Sequence, residues 1–77
     1  MSSDPLLTLI AGTLGVNPSE VNEDSAAGKT RRWDSLRQVM LMNELETTYG
    51  IELSDQEMME TNSVARIRAL LTAHGVE

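Results

Sequence analysis

Asp34-Ser35-Leu36-Arg37-Gln38-Val39-Met40-Leu41-Met42-Asn43-Glu44-Leu45-Glu46-Thr47-Thr48-Tyr49-Gly50 is the stretch on which the fold turns. Projected at about 100° per residue, Leu41, Met42, Leu45 and Tyr49 share one face, with Gln38 beside them. The spacing predicts a helix that turns this stripe to the core. Asp34 can accept from the free amides of the first turn, and Gly50 is the residue on which such a helix ends. Leu36, Met40, Asn43 and Thr47 fall on the opposite side, with Val39 at its flank, so the start of the helix carries apolar side chains where water is expected. Two explanations stay open. Leu36 and Val39 pack under a neighbouring loop, isolated exposed apolar residues being ordinary in any case; or they form a docking face with Met40 as an adaptable contact.

Upstream, residues 16–33 are rich in turn formers: Asn17-Pro18-Ser19, Asn22, Asp24-Ser25 and Gly28. Val21 is the one obvious inward anchor, and the segment reads as a long loop. Loops of that length inside a compact domain are uncommon and are usually functional or mobile. Before it, Asp4 as a cap and Pro5 at the first helical position precede Leu6, Leu7, Ile10 and Leu14 at helical spacing, with Gly15 as the stop. Downstream, Ile51 and Leu53 alternate with Glu52 in an extended link whose two apolar residues plug the core. Ser54-Asp55-Gln56-Glu57 is a capping-box pattern opening a short helix through Glu60. Ser63 opens the last helix, with Val64, Ile67, Leu70 and Leu71 on one face and Gly75 beyond. The expected fold is all-α, a four-helix bundle of three longer helices and one short one, with the long loop joining the first two.

At 77 residues the chain is expected to form a single domain over 1–77. A composition 40% hydrophobic and 23% charged is that of a globular domain. Without cysteine there are no disulfides, thiolate metal sites or cysteine nucleophiles. The start lacks a positive n-region and the 6–14 stretch is too short to span a bilayer, so no signal or membrane segment is read and the cytoplasm is the default location. A net charge of -6 disfavours nucleic acid and anionic lipid and favours partners with basic patches. Lys29, Arg31 and Arg32 form the one dense basic stretch, read either as a solvated loop or as a contact site.

Ser35 as a hydrolase nucleophile fails, since the one histidine, His74, lies near the C-terminus and no glycine cluster offers an oxyanion site. His74 is read as favouring the negative end of the last helix. A plain helix-start serine is the simpler reading of Ser35 taken alone.

Asp34-Ser35-Leu36 after a long loop, the Glu44-Leu45-Glu46-Thr47-Thr48-Tyr49-Gly50-Ile51-Glu52-Leu53 segment, and a short helix before Ser63-Val64 together resemble the acyl carrier protein family. The resemblance covers essentially the whole chain. It implies that Ser35 receives 4'-phosphopantetheine, with Asp34 and Leu36 completing the attachment motif and Asp34 helping the transferase and its metal ion. It implies no catalysis by the chain itself. A phosphopantetheinyl transferase adds the arm from coenzyme A, and acyl-loading and acyl-processing enzymes then use a thioester on its thiol. It also implies an acyl chain between the second and third helices, for which Leu41, Met42, Leu45, Met58, Met59 and Ile67 are the candidate lining; simple core is the alternative. A phosphodiester on Ser35 would lie near the positive end of the helix dipole and its unpaired amides.

The chain departs from a fatty-acid carrier in having Arg37 and Met40 near the start of this helix, with Glu44 and Glu46 only later. Electrostatic steering toward basic enzymes is thereby weakened. Trp33 replaces the small residue common before the motif, either as an interface anchor or as a pin for the loop. Trp33, Arg37, Val39, Met40 and Glu44 are the expected partner-binding residues. These features favour a carrier for a polyketide, nonribosomal-peptide or other specialised pathway, working as a monomer. The alternatives are a general fatty-acid synthesis carrier and an unmodified helical protein-protein interaction module.

Overall fold

Four α-helices form where the caps place them in the computed structural model, which describes residues 4–76: α1 Pro5–Leu14, α2 Ser35–Tyr49, α3 Asp55–Glu60 and α4 Val64–Ala73. There is no strand among the described residues, and the all-α expectation holds. Residues 1–3 and 77 of the expected 1–77 domain lie outside the described residues.

Each start is capped by a side-chain oxygen. Asp4 accepts from the Leu6 and Leu7 amides, Asp34 from Arg37, Ser54 from Glu57 and Ser63 from Arg66. Gly15 and Gly50 close α1 and α2 at φ 75° and 65°, a region that side chains with a Cβ avoid. α4 stops at Ala73 and does not run on to Gly75. His74 takes the cap, and the Val76 amide returns to the Leu71 carbonyl at 2.8 Å.

The core is built by the three longer helices. Leu6, Ile10 and Leu14 of α1, Leu41, Met42 and Leu45 of α2, and Val64, Ile67 and Leu71 of α4 are each no more than 1% exposed. Burial of such a side chain stabilises by roughly 1.5–3 kcal/mol, so none of these helices would persist without the others. Leu53 is buried and Ile51 packs against the same cluster, as the plug expected of the extended link. Leu7 and Tyr49, read as core-facing, sit half-buried at its edge. α3 contributes no buried residue at all.

The long loop is more ordered than its turn formers suggest. Pro18–Glu20 makes a turn of 3-10 helix, and Ser25 and Trp33 join Val21 as buried anchors. Ala26 pairs with Ser63 in an isolated bridge, flanked by bonds from the Val64 amide to the Ser25 carbonyl (3.0 Å) and from Ala27 to Asn62 (2.9 Å). Arg32 adopts φ 68°, and its Nε donates to the Leu14 carbonyl at 2.8 Å, satisfying an acceptor that the end of α1 leaves open. A charge-assisted bond to that acceptor offsets the strain of a left-handed arginine, about 1 kcal/mol or more. Arg31 grips Glu20 through both oxygens at 2.7 and 2.9 Å, and Lys29 reaches the Asp24 carbonyl. The basic stretch is thus engaged within the loop, through Lys29 and Arg31, and with the end of α1, through Arg32. The radius of gyration, 11.4 Å, matches the roughly 11.5 Å of a close-packed chain this long, so the loop lies against the bundle.

Candidate functional site

Ser35 is the first residue of α2 and is exposed. Asp34 before it spends one carboxylate oxygen on the Arg37 amide at 2.9 Å, and the Asp34 carbonyl accepts from Gln38 at 2.8 Å. The Ser35 and Leu36 amides have no partner among the described residues. An exposed hydroxyl therefore stands beside two open donors at the positive end of a 15-residue helix. The other described serines differ. Ser25 is buried, Ser54 and Ser63 use Oγ as helix caps, and Ser19 lies in the single 3-10 turn.

Two clefts meet at Ser35. One runs toward the loop, bounded by Gly28, Asp34, Met59 and Asn62; the other runs toward α3, bounded by Val39, Met58 and Met59. Gln38 lines both.

Leu36, Val39 and Met40 are 64%, 52% and 42% exposed, so they are not covered by the loop. They form one strip on α2 whose flanks face different neighbours: Val39 borders the α3 cleft, whereas Met40 and Glu44 border a separate groove against Leu9 and Gly12 of α1. Arg37 is half-buried, and no ion pair engages it among the described residues. Glu46 turns away from this strip and accepts from the Leu53 amide at 2.9 Å.

Trp33 corrects the sequence reading. It is 2% exposed and reaches the surface only at the wall of the loop-side cleft; its indole Nε1 donates to Gln38 Oε1 at 2.8 Å. As the largest apolar side chain in a sequence with one other aromatic residue, it gains most from leaving water, provided its N–H finds a partner. It pins the loop, and Gln38 completes the pin. Met59 is a second correction. Expected in the interior lining, it is 77% exposed and extends the apolar strip instead. Met58 is half-buried, while Leu41, Met42, Leu45 and Ile67 are fully inside. His74, read as a dipole partner, meets Glu57 at 2.9 Å and ties α4 to α3.

Gln38 is the residue whose importance the helical projection did not show. Besides accepting from Trp33, its Nε2 donates to the Met58 carbonyl at 2.9 Å and the Thr61 carbonyl at 2.8 Å. A polar residue on the core face next to a tryptophan was the available signal.

The family described as "Phosphopantetheine attachment site" matches residues 4–71, which takes in α1, α2, α3 and most of α4. The chain belongs to this family. It is an acyl carrier protein-type carrier, and such proteins bear 4'-phosphopantetheine covalently on a serine. Phosphopantetheine carriers interact with phosphopantetheinyl transferases and with acyl-handling enzymes, and are typically non-catalytic. The residues at α2 fit the group: the exposed Ser35 hydroxyl is open to modification, and the adjacent free amides suit a phosphodiester. No helix among the described residues is long and apolar enough to cross a membrane.

Proposed function

We propose that this phosphopantetheine carrier bears its arm on Ser35 and holds an acyl or aminoacyl group for a polyketide, nonribosomal-peptide or other dedicated pathway. The observation that carries the site assignment is the free, exposed hydroxyl of Ser35 at the open N-terminus of α2, inside the matched segment. The arm supplies a terminal thiol on which cargo rides as a thioester. The chain's own residues do the rest. Asp34 holds the helix start in shape, the Ser35 and Leu36 amides stabilise phosphodiester charge, and Leu36 offers an apolar contact beside it. The whole chain acts as one non-catalytic domain.

Leu36, Val39 and Met40, now with Met59, are the proposed docking strip for transferase and acyl-handling enzymes, with Arg37 and Glu44 at its margin and Trp33 supporting it from inside. The dedicated pathway is supported by charge placement. Arg37 at the head of the strip has no ion-pair partner among the described residues, and Glu46 is occupied by Leu53, which leaves Glu44 as the exposed acid of α2. A strip so poor in acids steers basic enzymes weakly.

Incubation with coenzyme A and a broad-specificity transferase tests the attachment. Intact mass should rise by one phosphopantetheinyl group, and Ser35→Ala should abolish the rise without changing thermal stability. An unchanged mass would leave the apolar strip as the surface of an unmodified interaction module.

A further inference from the structure

α3 is attached differently from the other helices. It has six residues, none of them fully buried, and Met58 alone packs partly against the core, so its length and apolar burial hold it weakly. Polar contacts add the rest. At its N-terminal end the capping box of Ser54 and Glu57 closes on itself, and Glu57 meets His74. At its C-terminal end Arg66 and the Asn62 amide donate to the Glu60 carbonyl, while the Met58 and Thr61 carbonyls fall to Gln38, whose Nε2 donates to both and whose Oε1 accepts from Trp33. One side-chain amide, 9% exposed, thereby joins the loop, α2 and α3 and uses both its donors. It also lines both clefts at Ser35, and a turn further along α2 the core begins with Leu41 and Met42, each 0% exposed.

We propose that Gln38 is a positioning residue, a latch that locks α3 against α2. It keeps an acyl chain borne at Ser35 in the outer groove of Val39, Met58 and Met59 and out of the core. The cargo half rests on the assignment of Ser35; the latch itself does not.

Amide hydrogen exchange on the unmodified protein tests the latch in wild type, Gln38→Met and Gln38→Glu. Methionine keeps the volume and loses every hydrogen bond, so amides of α3 and of Thr61 should exchange about tenfold faster or more, while α1 and α4 keep their protection. Glutamate retains an acceptor for Trp33, but as a carboxylate it has no proton for Met58 or Thr61. Protonation returns one donor. Gln38→Glu should therefore exchange fast in α3 at pH 7 and approach the wild-type rate, compared at equal pH, as its carboxyl protonates. That recovery is not expected of a residue that merely fills space, and it decides the matter should Gln38→Met fail to fold. Equal exchange in all three proteins, or acceleration spread through α1 and α4, would overturn the latch.

The cargo half is read from methyl resonances of Leu41, Leu45 and Ile67 after loading an octanoyl thioester. These should shift in Gln38→Met and stay in place in wild type; equal shifts in wild type overturn it. Failure of Ser35 to gain mass would remove the carrier assignment and the cargo half with it, and the exchange result would still judge the latch.

Discussion

Replacing Trp33 by phenylalanine keeps an aromatic ring in the core and removes the bond from Nε1 to Gln38 Oε1. The loss should be about 1 kcal/mol, more if Oε1 stays dry, whereas Trp33→Ala should cost roughly 3–5 kcal/mol by opening a cavity. Urea unfolding of both variants checks this, and a Trp33→Ala protein as stable as wild type would contradict the buried-pin account. The contrast between neighbouring residues shows what was legible. Asp34 and Ser35 could be read because a cap and the amides it serves are adjacent in sequence. The direction of Trp33 could not, because its partner is itself held by carbonyls 20 and 23 positions further on, at Met58 and Thr61. No local periodicity encodes such a contact. Met59 was misplaced for a related reason: on so short a helix the apolar spacing does not say which face is covered, and α3 covers none completely.

At the scale of elements, helix starts and stops were legible almost to the residue, since Asp4, Asp34, Ser54, Ser63, Gly15 and Gly50 each perform a local job. The order within the loop was not, because it comes from contacts with other elements: Ala26 with Ser63, Arg32 with Leu14 and Arg68 with Glu23. The ion pairs of the loop, within it and to its neighbours, predict acid sensitivity. Arg31, followed by the Asn17 amide, holds Glu20 down from 4.5 to about 2. Arg68 lowers Glu23 and, together with the capped amides of α1, Asp4, so that one guanidinium joins α1, the loop and α4. Carboxyls depressed in the folded state stabilise it fully above their unfolded pKa. That contribution fades as pH falls through their folded values. Thermal midpoints should therefore decline as pH drops from about 4.5 toward 2. Since these groups are largely exposed, the decline should be modest and smaller in high salt. A midpoint that rises over that interval would contradict the pairing.

For the whole molecule, the net charge of -6 is distributed so that the strip beside Ser35 has little of it. Acids gather on α3, at Asp55, Glu57 and Glu60, while the exposed face of α2 offers Glu44 and an Arg37 without an ion-pair partner among the described residues. In exchange assays with the enzymes of fatty-acid synthesis, the chain should turn over well below an authentic carrier and respond less to added salt. Full replacement would contradict the dedicated-pathway reading.

The central claim is narrower: the arm sits on Ser35. Trypsin should release residues 33–37 as Trp-Asp-Ser-Leu-Arg, a peptide in which Ser35 is the only hydroxyl-bearing residue. After loading with coenzyme A and transferase, the account predicts that the whole added phosphopantetheinyl mass appears on this peptide. Mass on any other peptide, or on none, would contradict it.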